Sequence, residues 1–149
     1  MKHIEIIETP IGNFKITTKN DKIYTAKFTK KEITDNKKKS TIFCREVKKY
    51  FYQPDKFEEF SDILYYQSGT DFQKQVWKAI SEIPYGETRT YGEIAQYIDK
   101  PNAVRAVANA CGKNKIAIFI PCHRVVGKNN KGGYKWNTIR KKWLLKHEQ

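Results

Sequence analysis

With 149 residues, of which 39% are apolar and 13% aromatic, the chain has the material for a packed core and is too short for a large multidomain scaffold. Its formal net charge is +13, and residues 101–149 hold 11 basic side chains against one acid, Glu148, so the surplus is concentrated in the last third, as suits an anionic partner. Three cysteines without CxxC spacing (Cys44, Cys111, Cys122) argue against a disulfide framework or structural zinc, and no apolar run approaches the roughly 20 residues of a membrane span; a soluble, reduced, intracellular protein is expected.

From Lys2 to Thr29, Ile4, Ile6, Phe14, Ile16, Ile23 and Phe28 recur near period two. They are broken by turn residues at Thr9 to Asn13 and Lys19 to Asp21, the pattern of an antiparallel meander. Residues 30–39 are polar and Lys-rich and read as a loop. Ile42, Phe43, Val47, Tyr50 and Phe51 follow at helical spacing. The stretch from Pro54 to Ser68, with Phe57, Phe60, Ile63 and Leu64, is irregular and is expected to pack on the sheet. A boundary near Ser68 to Thr70 divides the chain into domains at 1–69 and 70–149.

In the second half, Thr70 and Asp71 can cap a helix carrying Phe72, Val76, Trp77 and Ile80 that stops before Pro84 and the Tyr85-Gly86 turn. Tyr91, Ile94, Ala95 and Ile98 define a short helix, and Lys100-Pro101-Asn102 a turn. Ala103 to Cys111 reads as a second helix ended by Gly112. Two short helices joined by a tight turn in the basic half match a helix-turn-helix. The second helix is slim, with Ala103, Ala106, Ala108 and Ala110, and Arg105 is its one charged side chain. Such a helix can enter a groove closely, even a minor one, with the arginine reaching between bases.

Ile116 to Ile120 reads as a buried strand that delivers Pro121-Cys122-His123-Arg124 to the mouth of a core. A neighbouring base or positive charge favours the thiolate, which singles out Cys122. Cys44 and Cys111, on an amphipathic and a small-residue helix, read as buried small hydrophobes. Adjacent side chains on extended backbone point to opposite faces, so His123 reaches Cys122 only through a turn or a water. A carboxylate is wanted at the far end of such a relay, and Glu148 is the only acid after Asp99; a solvated terminal charge is its alternative reading.

Pro121-Cys122-His123-Arg124-Val125 resembles the active-site signature of the O6-alkylguanine-DNA alkyltransferases. The similarity runs from Phe72 to Glu148 through Phe72-Gln73-x-x-Val76-Trp77, Ile83-Pro84-x-Gly86-x-Thr88, Tyr91-Gly92-x-Ile94-Ala95, Arg105-Ala106-Val107, Asn114, Gly133-Tyr134 and Leu144-Leu145-x-x-Glu148. The resemblance implies an α+β chain: a small N-terminal ribonuclease-H-like antiparallel sheet with a helix, then a helical C-terminal domain with a winged or helix-turn-helix motif.

It further implies single-use repair of O6-alkylguanine in double-stranded DNA, with O4-methylthymine as a minor substrate, and needs neither cofactor nor metal. In that scheme Cys122 is the alkyl acceptor. His123, through water to Glu148, takes the thiol proton, Tyr91 donates to guanine N3, and Asn114 braces the apolar strand and the helix pair. Arg105 replaces the flipped nucleotide, while Ala103, Ala106, Ala108 and Asn109 meet the minor groove without reading sequence. Lys113, Lys128, Lys131 and Lys135 are candidates for phosphate contacts, and Val125, Tyr134 and Trp136 line the substrate pocket. A cytoplasmic, nucleoid-associated monomer of prokaryotic type is implied, and a binding-only relative of the same fold is the alternative. Departures from the family pattern are Lys115 where Pro is frequent, Asn109 where Gly is, and Trp136 where a small residue is.

Overall fold

The computed structural model describes residues 2–33, 41–60 and 63–149, so most of the expected 30–39 loop lies outside the described residues. The chain forms two compact units, residues 1–67 and 68–149.

The first unit is built on the meander. β1 (His3–Thr9), β2 (Gly12–Lys19) and β3 (Lys22–Thr29) form an antiparallel sheet in chain order, with Ile7 opposite Phe14 and Phe14 opposite Phe28. Phe14, Ile16, Ile23 and Ala26 are buried, and the Phe14 and Phe28 rings meet edge to face, centroids 5.0 Å apart. The alternation is imperfect in β1, where Ile4 is exposed while Glu5, Ile6 and Ile7 are all buried. The Glu5 carboxylate accepts from the Thr41 backbone N–H (3.1 Å) at the start of α1 (Ile42–Tyr52), where an anion is favoured by the helix dipole. The Pro54 to Ser68 stretch meets the sheet, as expected, through its later part, where Leu64 O and Tyr66 N–H bond Ile23 of β3, while its earlier part packs on α1. Phe57 and Phe60 pack on Tyr50 of α1, Leu64 is exposed, and Tyr65 forms a parallel bridge to Ile23.

The second unit is mainly helical. α2 (Asp71–Ser81) starts from a capping box in which Thr70 and Gln73 satisfy each other's backbone N–H groups. Thr90 and Glu93 do the same for α3 (Tyr91–Tyr97). A tight turn leads to α4 (Val104–Gly112), which packs on α2 and α3. Val107, Ala110 and Cys111 face inward, and Arg105, Ala106 and Asn109 face out. Gly112 is the last helical residue rather than a left-handed cap; Lys113 closes α4 in right-handed conformation. β4 (Arg89–Thr90) and β5 (Val125–Val126) form a two-stranded parallel ribbon, and α5 (Thr138–His147) ends the chain.

The segment 116–120 is buried as expected but is not a strand. It is a tight turn with Ile118 at φ +69°, in which Ile120 N–H donates to Ile116 O (3.2 Å) and Phe119 N–H to Ala117 O (2.7 Å). Length and apolar character alone cannot separate a buried strand from a buried turn, and local hydrogen bonds here replace a ladder.

Phe14→Ala removes a fully buried ring from the first unit. Urea denaturation should show a loss of about 3–5 kcal/mol; a loss below about 1 kcal/mol would mean that this ring is not central to the core.

Candidate active site

Cys122, His123 and Arg124 form a single 3-10 turn after Pro121, and all three are buried. The turn removes the extended geometry that would have thrown Cys122 and His123 to opposite faces. It also sends His123 and Arg124 to one carboxylate. His123 Nε2 lies 2.6 Å from Glu148 Oε2, while Arg124 donates from Nε to Glu148 Oε1 (2.7 Å), from Nη2 to Oε2 (3.2 Å) and from Nη1 to the Ile83 carbonyl (2.8 Å). The contact between His123 and Glu148 is thus direct, a correction to the expected water-linked one. Glu148, at the C-cap of α5, is buried despite its place beside the C-terminus. Gly86, at φ +84°, gives α5 room: a Cβ there would come within 3.0 Å of the Glu148 carbonyl.

Burial pushes the Glu148 carboxyl up, but the hydrogen bonds and charges of His123 and Arg124 outweigh it and hold the group at about 2. Burial lowers the His123 pKa, partly offset by Glu148, so the imidazole is neutral at neutral pH. A carboxylate only accepts, so Nε2 must carry the ring proton. Nδ1, the other ring nitrogen, is then an acceptor, and it is buried with no hydrogen-bond partner among the described residues.

Asn114 is fully buried and lies past the end of α4 rather than capping it. Its Nδ2 donates to the carbonyls of Ile116 (3.3 Å) and Ile120 (3.0 Å) and to Cys122 Sγ (3.3 Å), and its Oδ1 accepts from Ile116 N–H (3.0 Å). One side chain therefore satisfies the buried turn and touches the thiol. Burial pushes the Cys122 thiol up to about 11, opposed by the Asn114 hydrogen bond and then by the charges of Lys141 and Lys135.

The thiol opens into a cavity of about 240 Å³ lined by Tyr91, Ala108, Cys111, Gly112, Cys122, Gly133, Tyr134 and Lys135. Larger depressions among the described residues, of about 550, 520 and 290 Å³, contain no thiol. Tyr91, the first residue of α3, is held against this wall by a left-handed Gly132 (φ +73°), where a Cβ would stand 2.5 Å from the phenol oxygen. Burial raises the pKa of Tyr91, and the nearby thiols add to the rise. The Tyr134 hydroxyl is buried with no hydrogen-bond partner among the described residues.

Of the pocket residues expected from sequence, Tyr134 lines the cavity. Val125 is buried in β5, and Trp136 packs behind Tyr134, centroids 5.4 Å apart; neither belongs to the lining. Ala103 is the N-cap of α4, and Ala108 is half-buried on the cavity wall. Lys113, Lys128, Lys131 and Lys135 are all exposed; Lys135 also lines the cavity and donates to the Asn114 carbonyl (3.4 Å). Cys111, read as core, is buried and also on the cavity wall.

Two residues escaped the sequence reading. Arg124 stood out as a charge beside the thiol, yet its clamp on Glu148 did not. Lys141 was missed altogether. It is 1% exposed, and its Nζ donates to the Val125 (2.7 Å) and Gly133 (2.9 Å) carbonyls, joining the segment after Cys122 to the cavity wall. Burial brings it down to about 8. In a Lys-rich helix nothing in composition separates this lysine from its neighbours.

The model of the 6-O-methylguanine DNA methyltransferase, DNA binding domain family matches residues 71–149. The chain belongs to this family. A mimivirus protein (Acanthamoeba polyphaga mimivirus) named "Probable methylated-DNA--protein-cysteine methyltransferase" is 49% identical over 148 residues, spanning 98% of this chain and 96% of the relative. Among solved structures, the Mycobacterium tuberculosis O6-methylguanine methyltransferase superposes with a TM-score of 0.86 at 37% identity, covering 99% of this chain and 93% of the neighbour. Mycobacterium tuberculosis OGT in complex with DNA gives 0.85 at 37% identity, covering 98% and 92%. The mixed α+β fold, with its three-stranded antiparallel sheet and helical C-terminal part, is thus that of the alkyltransferase family.

The Glu148 cluster makes stability fall in acid. A carboxyl lowered from 4.5 to about 2 binds fewer protons folded than unfolded, so its contribution is complete above about 4.5 and is lost as pH falls toward 2. His123, lowered from 6.5, works in the same direction below about 6.5. The urea midpoint should therefore decline from about pH 6 downward. Glu148→Gln should be destabilised by about 3–5 kcal/mol at pH 7, because Arg124 loses its buried counter-charge. An unchanged pH dependence in this variant would contradict the assignment.

Proposed function

We propose that this protein repairs O6-alkylguanine in double-stranded DNA by moving the alkyl group, once and irreversibly, to Cys122. The observation that carries this reading is a buried thiol at the floor of a small cavity, beside a neutral imidazole whose Nε2 proton is held by Glu148.

In this scheme His123 Nδ1 takes the Cys122 proton through a water. The sulfur attacks the alkyl carbon in line as the carbon–O6 bond breaks, its electron pair passing into the guanine. Tyr91 donates toward guanine N3 as charge builds there. The thioether is stable, so each molecule reacts once. Asn114 keeps the thiol and the buried turn in register.

A stacked guanine cannot present O6 to a buried sulfur, so the nucleotide must leave the helix at a cost of a few kcal/mol. Arg105, on the exposed face of α4, fills the space left behind. The small outward side chains Ala106 and Asn109 suit close approach to a minor groove without sequence readout. Lys113, Lys128 and Lys131 supply phosphate contacts. In this reading residues 70–149 bind DNA and transfer the group, while residues 1–69 form a ribonuclease-H-like structural domain.

Intact-protein and peptide mass spectrometry after mixing with duplex bearing one O6-methylguanine should show one added methylene per molecule, on Cys122. Cys122→Ser should show none while still binding the duplex. Binding without any mass gain in the unaltered protein would overturn transfer in favour of a binding-only role. Arg105→Ala should slow repair in duplex more than reaction with the free modified base, and equal slowing on both would remove its flipping role.

A further inference from the structure

The first unit carries a cluster of lysines that has no part in the thiol site. Phe14 and Ile16 of β2 and Ala26 and Phe28 of β3 are buried, so the alternate residues of the two strands share the opposite face of the sheet. On that face the register sets Lys15 directly against Lys27, with Asn13 against Thr29 as the neighbouring pair. Like charges directly opposite each other across two strands destabilise a sheet. Just past β3, Asn13 Nδ2 donates to the Lys31 carbonyl (2.9 Å) and Lys31 N–H donates to Thr29 Oγ1 (3.2 Å). A third lysine is thereby tied beside the opposed pair.

Lys27 and Lys31 are exposed and Lys15 is half-buried. Partial burial first, then the charges of Lys31, Lys27 and Lys2, hold the Lys15 pKa below its ordinary value. None of these four lysines forms an ion pair with a carboxylate among the described residues. Glu8, the acid that β1 brings to this face, stands opposite Asn13 and forms none either. A second opposed pair, Lys19 and Lys22, lies at the other end of the same hairpin, but there Asp21 sits in the turn between them.

Cations held together without a counter-charge are relieved by an anion placed among them. The side chains at this end of the face, Asn13, Lys15, Lys27 and Thr29, include no aromatic ring on which an unpaired base could stack, so they suit a phosphate backbone rather than splayed bases. We propose that Lys15, Lys27 and Lys31 form a phosphate-binding patch on the first unit that takes the backbone of duplex DNA. The inference rests on the reading that this protein binds DNA, and it gives the first unit a share in that contact.

Titration of unmodified duplex into the full chain, over about 50 to 200 mM salt, tests the patch. Lys15→Gln/Lys27→Gln should lose roughly 10-fold in affinity at about 0.1 M salt, and its plot of log affinity against log salt should flatten by about 1 to 2. Lys19→Gln/Lys22→Gln removes the same charge from the same hairpin and should stay within about twofold of the unaltered protein. Without DNA, the urea midpoint of Lys15→Gln/Lys27→Gln should rise, because an opposed like-charge pair is gone. Unchanged affinity and salt slope in Lys15→Gln/Lys27→Gln would overturn the proposal. So would an equal loss in both double variants, which would reduce the effect to net charge. Binding of polyglutamate that this variant loses, with duplex binding intact, would replace DNA by an acidic protein partner. If the unaltered protein binds no duplex, the DNA reading itself fails and this inference with it.

Discussion

The second unit is organised around one buried carboxylate. Glu148, at the C-cap of α5, takes His123 on one oxygen and Arg124 on both. Removing an ionised carboxylate from water is costly unless the charge is paired and its lone pairs are used, and here a guanidinium and an imidazole meet that requirement. In return the carboxylate pins α5 to the Cys122 to Arg124 turn, and Arg124 extends the tie to the Ile83 carbonyl after α2. Three segments far apart in the chain are fixed by one side chain.

That constraint also sets the chemistry. Because the carboxylate occupies Nε2, the lone pair left for a proton is on Nδ1, and because the cluster is buried the imidazole stays neutral. The thiol itself is poorly ionised at rest, being pushed to about 11 by burial. A resting thiol of this kind is spared adventitious reaction. In the proposed transfer its activation comes from proton removal coupled to a substrate in the cavity, in keeping with a single-use reaction. Asn114 and Lys141 support the same site from the other side, each fastening the backbone next to Cys122 to a second wall.

Much of this was readable in the chain. Period-two spacing located the three strands, and the Thr70/Gln73 and Thr90/Glu93 pairs mark helix starts by a local hydrogen-bond pattern that sequence displays directly. The Cys122 segment is conspicuous because Pro, Cys, His and Arg stand together after an apolar run. What could not be read were features decided in three dimensions. The run 116–120 is apolar whether it is strand or turn, and it is the Asn114 amide that makes a turn affordable. Helix α5 carries Ile139 on its exposed side and Leu144 and Leu145 inside, so its apolar residues mark no single face and the helix had no periodic signature. Lys141 looks like Lys142, and Glu148 looks like a terminal charge. Their burial depends on which carbonyls and cations arrive from elsewhere.

The account turns on which nitrogen of His123 holds the proton. Nitrogen-15 NMR of the imidazole in the unreacted protein near neutral pH measures this directly. A neutral ring protonated at Nε2, with Nδ1 unprotonated, is the predicted result, and it should be lost in Glu148→Gln. An imidazolium, or a neutral ring protonated at Nδ1, would contradict the account, because no lone pair would remain to receive the Cys122 proton.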